Sequence, residues 1–128
     1  MRWPLLLILL GCGSPAAVGD ACMVALAETR PGEYAFEFMV DGPTMFRECC
    51  IVAAGGESAS LALLSVRRTG FTTLALESGP GEVCINPADA AFDDIVLQPD
   101  TLYRLRAYGQ LAAPSVQVAG ELCAELGL

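Results

Sequence analysis

The chain has 128 residues, 54% of them hydrophobic, with 15 acidic side chains against 7 basic ones and a formal net charge of −8. That balance disfavours nucleic acid as a partner, because phosphates call for a basic surface, and the length fits one domain. Histidine and lysine are both absent, which excludes Ser-His-Asp, Cys-His and Ser-Lys nucleophiles.

At the N-terminus, Arg2 precedes an unbroken aliphatic run, residues 5–10. The run is far short of the roughly 20 apolar residues that cross a bilayer. A basic start, an apolar stretch and then small residues form an export signal. Leu9-Leu10-Gly11-Cys12 resembles the lipobox of bacterial lipoproteins, which is cut before a diacylated cysteine. The resemblance implies a signal peptide over 1–11, an acylated Cys12 with a short tether over 12–21, and one domain over 22–128. It also implies an outer-membrane location, since Gly13 stands where inner-membrane retention in enteric bacteria favours aspartate. The alternative is cleavage near Ser14-Pro15-Ala16 and a secreted or periplasmic protein. Two or more acyl chains hold a protein stably without a transmembrane helix, and the tether reaches at most about 30 Å.

Beyond the tether the pattern is strand, turn, strand. Residues 22–27 are apolar and run into Arg30-Pro31-Gly32, a turn. Residues 33–40 alternate, with Tyr34, Phe36, Phe38 and Val40 on one face. Those aromatics fit a core better than a sugar-stacking platform. Asp41-Gly42-Pro43 ends the segment, residues 45–53 form the next candidate strand, and Gly55-Gly56 closes it. Residues 61–66 and 71–76 flank Thr69-Gly70, and Gly79-Pro80-Gly81 leads to a short strand over 83–85. Residues 95–97, the turn Gln98-Pro99-Asp100 and residues 102–108 read as strand, turn, strand, with Tyr103 and Leu105 inward and Arg104 and Arg106 outward. Val116 and Val118 mark the last strand.

Eight or nine short strands separated by turn residues predict an all-β fold, an antiparallel β-sandwich with at most one short helix. A helix over residues 58–68 (SASLALLSVRR) is the rival reading, and residues 120–128 fit either a helical turn or a strand. Residues 92–108 (FDDIVLQPDTLYRLRAY) resemble a phrase found in secreted bacterial β-sandwich modules, among them transthyretin-like and pre-peptidase-C-terminal-type domains. The resemblance implies a sandwich and carries no catalytic or binding residue.

Cysteines stand at 12, 22, 49, 50, 84 and 123. With Cys12 acylated, five remain in an oxidising compartment, enough for two disulfides and one thiol. Adjacent Cys49 and Cys50 point to opposite faces of a strand, so only one of them is well placed to meet a given neighbour. Spacing leaves the connectivity open. The preferred pairing is Cys22 with Cys123, clasping the ends of the domain, and Cys50 with Cys84. No C-x-x-C or histidine supports a zinc or thiol-oxidoreductase site, and no cofactor is expected.

Asn86, Asp89, Asp93 and Asp94 offer hard oxygen ligands for calcium, although their spacing matches no EF-hand and a solvated acidic loop explains them equally. Adjacent Asp93 and Asp94 cannot both face one cleft if extended, which argues against a glycosidase pair. No phosphate-cradling glycine loop is present. The chain is therefore expected not to be an enzyme. Two classes of function remain: a lipid-anchored accessory lipoprotein that binds another envelope protein, or a calcium-organised module for carbohydrate or peptide. A carboxylate-dependent hydrolase is the distant third. If Cys12 is the acyl site, the wild type labels with a palmitate analogue and partitions into detergent, and Cys12→Ala loses both properties; membrane partitioning unchanged in that variant refutes the assignment.

Overall fold

The computed structural model describes residues 21–86 and 95–126, where the alternating segments become eleven strands and one short helix. The strands are β1 (Ala21–Ala25), β2 (Ala27–Arg30), β3 (Glu33–Phe38), β4 (Thr44–Phe46), β5 (Glu48–Val52) and β6 (Ser58–Arg67). They continue with β7 (Gly70–Pro80), β8 (Glu82–Ile85), β9 (Ile95–Leu97), β10 (Leu102–Gly109) and β11 (Ser115–Ala119), followed by helix α1 (Glu121–Glu125). One sheet has the order β1-β11-β5-β8, the other β2-β3-β10-β6-β7, and β4 pairs with β9. All the pairings are antiparallel.

With β2, β4 and β9 set aside, early strands lie beside late ones: β1 beside β11 and β3 beside β10, while β5–β8 and β6–β7 complete the two sheets. That interleaving is the jelly roll, two Greek keys folded into a double sheet. The inner faces follow the two-residue period. Val116, Val118, Ile51 and Ile85 on one sheet and Leu61, Leu63 and Leu105 on the other are closed to solvent. Phe36 and Phe38 stack at 5.9 Å between ring centres, and Phe38 meets Tyr103 at 5.8 Å, so the aromatics of β3 are core.

The segment over residues 58–68 is strand β6 and not a helix. It lies between β10 and β7, so both edges are hydrogen-bonded. Leu61, Ala62, Leu63 and Leu64 are all buried, which covers both faces. The single strand expected over 45–53 is two, parted at Arg47, because β4 leaves the main sheet to pair with β9. The chain ends on α1 after Gly120, whose φ of 83° turns the backbone out of β11.

Phe46, Leu97 and Leu122 bury their side chains where β4, β9 and α1 close one end of the sandwich. The Asp41 N–H donates to Glu125 Oε1 at 2.8 Å and holds the helix to that end. The Gln98 N–H donates to the Tyr103 hydroxyl at 2.7 Å across the Pro99–Asp100 turn, where Asp100 takes φ 64°. This is the role of a tyrosine corner, a side chain reaching back to pin the turn before its own strand.

Gly109 at the end of β10 has φ +109°, and a Cβ there would lie 2.7 Å from the Ser58 carbonyl oxygen. Gly56 has φ +80° with open space around it. Gly56→Ala should cost about 1 kcal/mol from backbone conformation alone, whereas Gly109→Ala adds a backbone clash and should cost at least roughly 2–3 kcal/mol. Urea unfolding of the two variants measures the difference; equal losses would contradict the account of Gly109.

Candidate functional site

The outer face of the five-stranded sheet is built by β3, β10, β6 and β7. Along β10, residues 104, 106 and 108 point outward, opposite inward Tyr103, Leu105 and Ala107. Register sets their neighbours. Arg104 lies between Glu37 and Leu64, Arg106 between Ala35 and Ala62, and Tyr108 between Glu33 and Ser60. On β7, the register shift opposite Leu63 and Leu64 inserts one extra residue. It brings Phe71 and Leu76 to this same face, 47% and 53% exposed respectively.

Ala62 and Leu64 belong to this outer face yet are buried, Leu64 to 1% exposure. A second, thin layer covers them. Phe71 reaches across β6, so that the Arg104 guanidinium carbon sits 4.8 Å and the Arg106 carbon 5.6 Å from its ring centre. Arg106 also lies 5.0 Å from the Tyr108 ring centre. Arginine stems bury apolar surface while their planar heads stack on aromatic rings.

The charges on this face are paired unevenly. Arg104 Nε donates to Glu37 Oε2 at 2.7 Å, and a second Arg104 nitrogen binds the same oxygen. Arg30 Nε donates to Glu33 Oε1 at 2.5 Å. Arg106 makes no ion pair or hydrogen bond among the described residues, and its Nε is sealed from solvent without an acceptor. A buried donor left without a partner costs about 1–3 kcal/mol. The reason lies in β3, whose outward residues are Glu33, Ala35 and Glu37. Arg106 faces the alanine.

The other sheet carries the cysteines. Cys22 is bonded to Cys123 with Cα atoms 5.9 Å apart, and Cys50 to Cys84 at 4.1 Å. These are the pairs that the sequence reading set together. Their separations of 101 and 34 residues correspond to roughly 4–5 and 3–4 kcal/mol of loop-closure stabilisation in the chain-entropy treatment. Cys50 and Cys84 face each other across β5 and β8 on the outer side of that sheet. Cys49 points inward as a buried free thiol. Burial pushes its thiol well above the ordinary range, with a smaller push from Glu48, so it offers little thiolate for reaction.

Glu48, Cys50 and Cys84 are the one group of metal-capable atoms within 4.8 Å of one another among the described residues. The two sulfurs are joined to each other and supply no thiolate. Asn86, one of the residues expected to offer calcium a ligand, donates its amide to Glu48 Oε2 at 3.4 Å. Asp89, Asp93 and Asp94 lie outside the described residues, as does Cys12.

Phe71 and Tyr108 lie on the outer face, and Tyr103, expected to point inward, is buried. The arginine–aromatic layer has no sequence signal beyond the outward Arg104 and Arg106, because it depends on the Phe71 side chain of β7 reaching over β6 to β10. No protein-family model matches the chain, and no curated protein matches it.

The Arg30 hydrogen bond holds the Glu33 carboxyl below its ordinary range against the opposing effect of desolvation, helped by the charges of Arg30 and Arg106 and by Thr29. A depressed folded-state value stabilises the fold above the unfolded value and loses that contribution as pH falls through the folded one. Glu33→Gln should therefore be less stable than wild type at neutral pH, with the gap closing as pH drops below about 4. Thermal melts across that range check the sign; a gap that widens in acid would contradict it.

Proposed function

We propose that this protein is a lipid-anchored accessory lipoprotein of the bacterial envelope that acts by binding another protein through the outer face of the β3-β10-β6-β7 sheet. The observation that carries this reading is the arginine–aromatic layer around Arg106, which joins exposed Phe71 and Leu76 to a cation lacking an ion pair. Arginine and aromatic side chains packed together are the composition of protein-binding hot spots. The opposite sheet presents Met23 and Val52 as its exposed large apolar residues beside a disulfide, with no comparable cluster of rings and guanidinium groups among the described residues.

A peptide partner fits this face better than a carbohydrate. Sugar platforms need free aromatic rings, whereas Phe71 and Tyr108 each carry an arginine over the ring. The edge strand β7 adds eleven residues with one side unpaired among the described residues, a place where an extended segment can add main-chain hydrogen bonds. Anchoring follows the lipobox resemblance, with Cys12 as the acyl site and the outer membrane as the location. No helix of the described residues is long and apolar enough to cross a membrane.

A photocrosslinking residue placed at Leu76 tests the face against one placed at Gln117, which points outward from the other sheet. In intact cells, Leu76 should give a discrete protein adduct and Gln117 none. Equal adducts from both positions, or none from Leu76, would refute this assignment of the binding face.

A further inference from the structure

We infer that the surface around Arg106 is a carboxylate-binding site that takes a side-chain or terminal carboxylate of a partner polypeptide. The inference rests on the binding face described above and specifies its chemistry. Two arginines on this face already show the pattern, since Arg104 holds Glu37 and Arg30 holds Glu33. Arg106 stands between them in register, opposite Ala35, where β3 carries no carboxylate.

The surroundings of Arg106 have the required polarity. Ala35 and Ala62 flank it with methyl groups only, so neither neighbouring strand offers the guanidinium an acceptor at that register. Phe71 and Tyr108 hold the guanidinium plane in place, which lowers the ordering cost of a forked contact. The Nε donor lacks an acceptor, and a carboxylate meets an arginine fork through two parallel hydrogen bonds. The sealed atom is Nε alone, so the two terminal nitrogens of the guanidinium remain to take a carboxylate end-on.

The surrounding charge selects among anions. Glu33 and Glu37 flank Arg106 on a chain of net charge −8. They repel a dianion more strongly than a single carboxylate, and they disfavour an anionic lipid surface. A carboxylate on a polypeptide also brings apolar neighbours for Phe71 and Leu76.

The test uses the full chain, labelled with nitrogen-15 and held in a non-ionic detergent, with the backbone amide resonance of residue 106, present in the wild type and in both variants, as the readout. The probes are a capped glutamate–phenylalanine peptide, its glutamine counterpart, sodium acetate and inorganic phosphate. The glutamate peptide should shift the resonance saturably, acetate more weakly, and the glutamine peptide not at all. Phosphate should bind no more tightly than acetate. Arg106→Lys keeps the charge and loses the fork, and should weaken the response by about tenfold or more. Ala35→Glu supplies the missing carboxylate from within and should abolish the response while the fold stays intact by amide spectra. Absence of a saturable shift with the glutamate peptide overturns the inference, as does an affinity unchanged in Arg106→Lys or a tighter fit for phosphate. If any of these results comes with Leu76 crosslinks that persist in Arg106→Lys cells, the carboxylate site falls and the binding face stands; if the wild-type crosslinks are also absent, both fall.

Discussion

Strand β6 is apolar on both faces, and the surface chemistry of the molecule depends on how that is accommodated. Leu61 and Leu63 enter the space between the sheets, where the jelly roll buries them against the other layer. Ala62 and Leu64 point the other way and have no sheet above them among the described residues. Leaving a leucine side chain in water forgoes about 1.5–3 kcal/mol of burial, so something must cover it. The available cover is the arginines of β10 and the Phe71 ring of β7, the strands on either side. The functional face is thus a consequence of packing: long amphipathic side chains laid flat over an apolar strand.

Laying arginines flat fixes where their charges end up. A guanidinium that stacks on a ring cannot extend freely into water, so its counter-ion must come to it at the sheet surface. Strand β3 supplies that counter-ion to Arg104 through Glu37, and to Arg30 through Glu33 at the hairpin with β2. Period-two alternation then puts Ala35 opposite Arg106. Ala35 lies only one outward position from each glutamate, so the unpaired cation is a local feature of an acidic surface and not part of a basic field. Such a surface is better suited to short-range recognition than to long-range steering of anions.

The parts of this fold that were legible in the sequence are those where one face is wet and the other dry. Tyr34, Phe36 and Phe38 alternate with polar or small residues, and Tyr103 and Leu105 alternate with arginines, so their inward placement follows from the period. Strand β6 was ambiguous for the opposite reason, because a run buried on both faces loses the alternation that separates strand from helix. The split between β4 and β5 was hidden because Met45 and Phe46 continue the apolar pattern while the chain changes partner. Phe71 and Leu76 are five positions apart, which regular alternation places on opposite faces. The extra residue in β7 brings them together. That bulge and the reach of Phe71 over β6 are three-dimensional facts, which is why the arginines were placed correctly but their aromatic cover was not foreseen.

Covalent fastening lies away from the candidate face. Cys22–Cys123 ties β1 to α1, Cys50–Cys84 joins β5 to β8 on the far sheet, and Asp41 with Glu125 closes the end formed by α1. Strand β10 starts at that same end, since Tyr103 pairs with Phe38 just before the chain turns to Asp41. Under the proposed anchoring, a tether joining at Ala21 enters beside the Cys22–Cys123 bond, at the end from which β10 runs away. Arg106 and Tyr108 then lie two and three outward positions along β10 from Leu102, roughly 13–20 Å at about 3.3 Å per residue. That distance exceeds the physiological screening length of about 8 Å, so an anionic surface met at the tethered end would exert little field at Arg106. A site whose recognition rests on one unpaired arginine gains from that distance, because lipid phosphates held close by would otherwise compete for the same guanidinium.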